Sequence, residues 1–117
     1  MKSTIQFKFP ELFGARNLGV NVGSGWDKIL DDLCQGIVTH CIDNDITCPL
    51  ILQIKEKFAG LRFYLEYETD EISKLIRTAE ALSFKTCESC GTTDDVEQRG
   101  NYWLVTRCSE CFTMEKK

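Results

Sequence analysis

The sequence predicts an α+β fold: a small antiparallel sheet, built on a β-hairpin, packed against two helices and carrying a zinc ribbon at its C-terminal end. Three observations predict it. An apolar stripe with helical period runs from Trp26 to Cys41. Two apolar, strand-like runs flank Ala59-Gly60. Two C-x2-C pairs, Cys87/Cys90 and Cys108/Cys111, close the chain, with 17 residues between the pairs. At 117 residues the chain has the size of one domain. We divide it into an α+β core over 1–86 and a ribbon over 87–117, continuous with each other.

The elements follow in order. IQFKF (5–9) alternates apolar and polar residues and reads as a short strand ended by Pro10. Residues 11–25 carry glycines at 14, 19, 23 and 25 and read as a loop. Trp26, Ile29, Leu30, Leu33, Cys34, Ile37, Val38 and Cys41 then fall on one face of an amphipathic helix. Ser24 is the expected N-cap, with Asp27 three residues on. DNDITCP (43–49) is a turn-rich break. PLILQIKEKF (49–58) and LRFYLEYE (61–68) read as two strands joined by a short loop containing Gly60. Leu50, Leu52 and Ile54 are expected on the buried face of the first strand, and Leu61, Phe63, Leu65 and Tyr67 on that of the second. Glu56 shares the parity of the apolar set, a conflict that a bulge near Phe58 would remove. Thr69 or Asp70 caps a second helix whose apolar face is Ile72, Leu75, Ile76, Ala79 and Leu82. That helix runs almost directly into Cys87, with no flexible linker. Val96–Arg99 and Tyr102–Arg107 read as a second hairpin about Gly100-Asn101.

The cysteine pairs carry the clearest chemistry. Each C-x2-C lets two sulfurs reach one ion from a tight knuckle, and Gly91 permits the backbone such a knuckle needs. Soft thiolates select Zn²⁺ over hard cations, and four of them close a tetrahedral shell. The expectation is one structural Zn²⁺ per chain on Cys87, Cys90, Cys108 and Cys111. By ligand type alone an iron–sulfur cluster is also compatible. Cys34, Cys41 and Cys48 read as small buried hydrophobes. Cys34 and Cys41 lie about 10 Å apart along a helix axis, too far for a disulfide. A second metal cluster of His40, Cys41 and Cys48 has no supporting ligand-pair spacing.

Composition narrows the function classes. Apolar residues make up 43% and charged residues 27%, an ordinary globular balance. No run approaches about 18 uninterrupted apolar residues, so no membrane span is expected. The N-terminus lacks the apolar run of a secretory signal, and an odd count of seven cysteines with metal-ligand spacing fits a reducing cytoplasm. The net charge of −4 favours protein partners over nucleic acid. A single histidine, His40, limits His-based catalysis. Asp45 with Gln53 and Lys55 resembles a metal-dependent nuclease core, but with Gln where a carboxylate would bind Mg²⁺. The expected protein is therefore not an enzyme.

Two surfaces are candidates for binding. On the strand parity opposite the apolar face lie Lys55, Lys57, Arg62 and Tyr64. This face reads as solvated surface or as a docking site for a partner or for phosphates. The loop ending in Ser24, Gly25 and Trp26 leads into a helix N-terminus, where free N–H groups can bind an anion. It lacks the Gly-Lys-Ser/Thr of a Walker motif.

Gly23-Ser24-Gly25-Trp26, the KEKFAGLRFY stretch from Lys55 to Tyr64 and the Cys87–Gly91 knuckle together resemble a group of small, largely uncharacterised proteins encoded by bacteriophages and bacteria. The likeness spans roughly residues 23–111. In that group the last ligand is often His, so Cys111 departs from the pattern. The resemblance implies a phage-encoded accessory protein in the host cytoplasm, binding a host factor or countering host defence. The sequence points first to a non-enzymatic protein-binding module. The alternative is a nucleic-acid-binding zinc-ribbon protein using the Lys55, Lys57, Arg62 and Tyr64 face.

Overall fold

A computed structural model describes residues 8–14, 20–100 and 104–115. The elements are α1 (Pro10–Phe13), β1 (Val20–Asn21), a 3-10 turn (Ser24–Trp26), α2 (Asp27–Asp43), β2 (Ile51–Lys57), β3 (Gly60–Leu65), α3 (Asp70–Ser83), β4 (Val96–Arg99), β5 (Val105–Cys108) and α4 (Ser109–Glu115). They form a three-stranded sheet, β1-β2-β3, and a separate two-stranded ribbon, β4-β5. The α+β class and the C-terminal ribbon are as the sequence predicts.

The stripe on α2 is buried as expected, from Ile29 to Cys41. It packs beneath the sheet with Ile51, Ile54, Leu61, Phe63 and Leu65, and α3 adds Ile72, Ile76 and Ala79 to the same core. Burial of a Leu or Ile side chain stabilises by roughly 1.5–3 kcal/mol, so this cluster is the main source of stability. Thr69 caps α3, its hydroxyl accepting from the Ile72 amide at 3.2 Å. The inward position near the end of α3 is Ser83, whereas Leu82 is exposed. Ser83 has a use there: its Oγ accepts from the Leu61 amide at 3.0 Å. The Glu80 carboxylate likewise accepts from the Phe63 amide. Polar side chains of α3 thus satisfy outward N–H groups of β3 and cover the sheet edge.

Four expectations need correction. The strand over 5–9 falls largely outside the described residues, and Lys8 and Phe9 are not in a strand. The segment read as a loop over 11–25 contains α1 and β1, and β1 pairs parallel to β2, with Val20 opposite Ile54 and Asn21 opposite Lys55. Parallel neighbours need a crossover, and α2 supplies it. A two-residue strand is too short to show a period. Ser24 makes no side-chain cap; the chain enters α2 through the 3-10 turn instead. The second hairpin pairs Val96–Arg99 with Val105–Cys108, so its return strand runs one residue past the expected Arg107, while Asn101 and Tyr102 of the expected turn and strand start lie outside the described residues.

The β2–β3 hairpin differs in detail as well. Its register slips between Ile51 and Gln53. The bulge sits there and not near Phe58, so Ile51 is buried while Leu52 is 52% exposed on the outer face. The loop is Phe58-Ala59, between the paired Lys57 and Gly60. Both loop residues have positive φ, 53° and 68°, the pattern of a type I′ turn normally made by Asn-Gly. A non-glycine residue in that region costs about 1–2 kcal/mol. Glu56 offsets part of this cost, because its carboxylate accepts from the Ala59 amide at 2.8 Å. Tyr67 lies beyond β3 and is exposed, its hydroxyl donating to the Thr47 carbonyl.

Candidate metal centre and the hairpin beside it

The four cysteines of the C-x2-C pairs come together. Their sulfurs all lie within 4.8 Å of one another, and Cys90 and Cys108 are 3.8 Å apart. Four sulfurs placed at ~2.3 Å around one tetrahedral ion would be about 3.8 Å apart. The cluster therefore fits a single tetrahedral metal ion. Cys87 and Cys108 are buried, Cys111 is half-buried and Cys90 is exposed.

Local backbone builds each knuckle. In the first, the Gly91 amide donates to the Cys87 carbonyl at 2.9 Å, and Gly91 has φ +84°, which glycine adopts without strain. In the second, Cys108 ends β5 and Cys111 lies in the first turn of α4, where its amide points at the Cys108 sulfur at 3.5 Å. Burial acts to raise the Cys87 pKa, but amides of Cys108, Cys90 and Ser89 outweigh it and bring the thiol down to about 6. The thiol of Cys111 is pushed up, first by its neighbour Cys108 and then by burial. A bound cation reverses that balance, because coordination favours the thiolate.

The knuckle is fastened to the core through Glu88, a residue that no sequence motif marks. The buried Glu88 backbone amide donates to the Thr106 carbonyl at 2.9 Å and its carbonyl accepts from the Gly25 amide at 2.7 Å. Its carboxylate accepts from the Gly23 amide at 2.8 Å. The indole N–H of Trp26, fully buried, donates to the Thr86 carbonyl at 2.8 Å. The glycine loop does meet an anion, but that anion is Glu88 of the same chain. Gly25 and Trp26 are thus structural contacts, and Ser24 lies beside them in the 3-10 turn.

The ribbon also grips the tip of the β2–β3 hairpin. Thr106 donates its hydroxyl to the Ala59 carbonyl, and both residues are fully buried. Gln98 donates to the Thr106 hydroxyl at 3.2 Å and to the Phe84 carbonyl at 3.0 Å. The Phe84 ring lies flat on Gly60: a Cβ there would sit 2.9 Å from Cε1 and Cε2 of that ring. Gly60 is therefore required by this contact and not by the turn. Past these fixed points Phe58 projects, 75% exposed, with the Lys57 ammonium 5.5 Å from its ring centre.

Lys55, Lys57, Arg62 and Tyr64 share the outer sheet parity, as the sequence indicates. Lys55 lies directly opposite Arg62, and Tyr64 opposite Gln53. Like charges face to face cost stability, and Arg62 is drawn toward Glu80, with Nη1 and Oε1 4.0 Å apart. Among the described residues, Lys55 and Lys57 have no carboxylate within ion-pair distance.

The other cysteines lie in the core. Burial pushes the Cys34 thiol up to about 12, with Asp31 adding to the effect. Burial, then the neighbouring Cys41, pushes Cys48 up to about 11. The His40 ring nitrogens contact Thr69 Oγ1 at 3.0 Å and Asn44 Nδ2 at 3.2 Å. Among the described residues, His40, Cys41 and Cys48 form no metal-ligating group. His40 lines an open groove of about 360 Å³ between α2 and α3.

Among the described residues no helix is long and apolar enough to cross a membrane. In comparisons with known proteins, no family model, no curated protein and no solved structure matches the chain.

Proposed function

We propose that the chain is a non-enzymatic protein-binding module in which one structural Zn²⁺, held by Cys87, Cys90, Cys108 and Cys111, stiffens a ribbon that presents the β2–β3 hairpin tip. One observation carries this reading. Phe58 is exposed in a left-handed conformation, while the residues behind it are gripped by Thr106 and Phe84. A large apolar side chain held outward at a local cost is what a binding anchor needs. Zinc is the ion that four thiolates in a closed shell select, and that shell leaves no open position for substrate. The resemblance to small phage-encoded proteins makes a host factor in the cytoplasm the expected partner. The test is affinity capture from host extract with the zinc-loaded chain and with Phe58→Ala. The proposal expects a stoichiometric partner that the variant loses while keeping its metal and fold. A partner retained equally by both chains refutes it.

The exposed ring of Tyr64 beside Arg62 and Lys55 supports a second reading, single-stranded nucleic-acid binding, since stacking and cations are its usual means. Binding to an oligothymidylate that falls steeply with salt would support it. No shift at low salt would exclude it.

A further inference from the structure

We infer that the outer face of the hairpin, ending at Phe58, receives an acidic segment of a partner protein in which apolar side chains flank the carboxylates. The inference rests on the protein-binding reading above and names the chemistry of its partner.

The face itself gives the pattern. Leu52 and Tyr64 are exposed apolar side chains at one end, and Phe58 is exposed at the other. Lys55 and Lys57 lie between them along β2. From Leu52 to Phe58 the strand runs roughly 20 Å, enough for several residues of an extended segment. Two local rules are broken in this one hairpin. Lys55 faces Arg62 across the strands and, among the described residues, pairs with no carboxylate, and a phenylalanine occupies a left-handed turn position. Within the chain, the Lys57 ammonium 5.5 Å from the Phe58 ring centre and Glu80 Oε1 4.0 Å from Arg62 Nη1 offset part of the cost. Both features become favourable when carboxylates approach the cations and an apolar group covers the ring.

The surrounding charge sharpens the point. The chain as a whole carries −4. Nearby acids are already engaged: Glu56 caps the turn, Glu66 accepts from the Leu50 amide and Glu80 faces Arg62. Lys55 and Lys57 thus form a local cationic strip on an acidic molecule, where an acidic ligand is steered to one place.

The zinc-loaded full chain is screened against a displayed library of random linear peptides, and the enriched peptides are measured by titration at low and high salt. Enriched peptides should mix Asp or Glu with Leu, Phe or Trp. Lys57→Glu and Phe58→Ala should each weaken them by about tenfold or more. Lys28→Glu, which changes net charge equally on α2, should leave them unchanged. Binding should weaken as salt rises. Peptides that need Phe58 but carry no acidic residues, or ignore Lys57→Glu, overturn the acidic partner while the protein-binding reading stands. No enrichment, or enrichment indifferent to both variants, overturns both. An oligothymidylate that binds at low salt and is lost with Lys57→Glu assigns the face to nucleic acid and likewise overturns the inference.

Discussion

Gly25→Ala should uncouple the metal knuckle from the core. The Gly25 backbone lies outside the left-handed region, so alanine meets no conformational barrier there and the penalty comes from contact alone. A Cβ at Gly25 would sit 2.6 Å from both the carbonyl carbon and oxygen of Glu88, and nearer still to the Cys87 carbonyl. These are backbone atoms of the Cys87–Gly91 knuckle, so no flexible side chain can move aside. Restoring ordinary contact requires the knuckle to retreat by about 1 Å. That retreat strains the bond from the Gly25 amide to Glu88 at 2.7 Å and the bond from the Gly23 amide to the Glu88 carboxylate at 2.8 Å. Overpacking costs about 1–3 kcal/mol, and losing buried hydrogen bonds costs about 1–3 kcal/mol more. A total near 4 kcal/mol would lower the melting temperature by about 10–20 °C. The assay is thermal unfolding of the zinc-loaded chain, together with the rate of metal transfer to a chromophoric chelator, which should rise. Gly36→Ala is the control. It sits inside α2 with Leu75 side-chain atoms at an ordinary 3.4 Å, and there alanine should stabilise by about 0.5–1 kcal/mol. If Gly25→Ala unfolds within a degree or two of wild type and yields its metal no faster, the knuckle is not seated on this loop as described.

Other outcomes follow from the same contacts. Thr106→Val orphans the buried Ala59 carbonyl and should cost about 1–3 kcal/mol in denaturant unfolding. Phe58→Gly removes an exposed ring and a strained φ, so it should stabilise by about 1 kcal/mol while weakening partner binding; a destabilised variant would contradict the exposed position. Elemental analysis should give about one zinc per chain, and a strong chelator should unfold at least the ribbon, seen as lost amide protection over 87–111. Iron in place of zinc, with visible charge-transfer absorption, would assign a cluster instead.

The sequence alone determined the features that repeat at a fixed interval or depend on one chemical type. The α2 stripe is legible because seven buried side chains recur with the helical period. The four thiols are legible because a C-x2-C spacing is itself the geometry of a knuckle. The outer strand parity of Lys55, Lys57, Arg62 and Tyr64 is legible because parity survives beyond the bulge. What precedes the bulge was not: Leu52 and Ile51 exchange faces through a register slip of the strand pair, and no single strand encodes its partner's register.

Tertiary structure alone decided what the glycines and the lone acid are for. Gly60 looks like a turn residue and is in fact the floor beneath Phe84. The loop before Trp26 looks like an anion site, and its anion is Glu88, 65 residues away in the chain. Thr106 reaches the hairpin tip across 47 residues. Such contacts join single residues at unrelated positions, so they leave no period or spacing to read. They exist only once α2, the hairpin and the ribbon have packed, because packing alone brings those atoms within bonding distance.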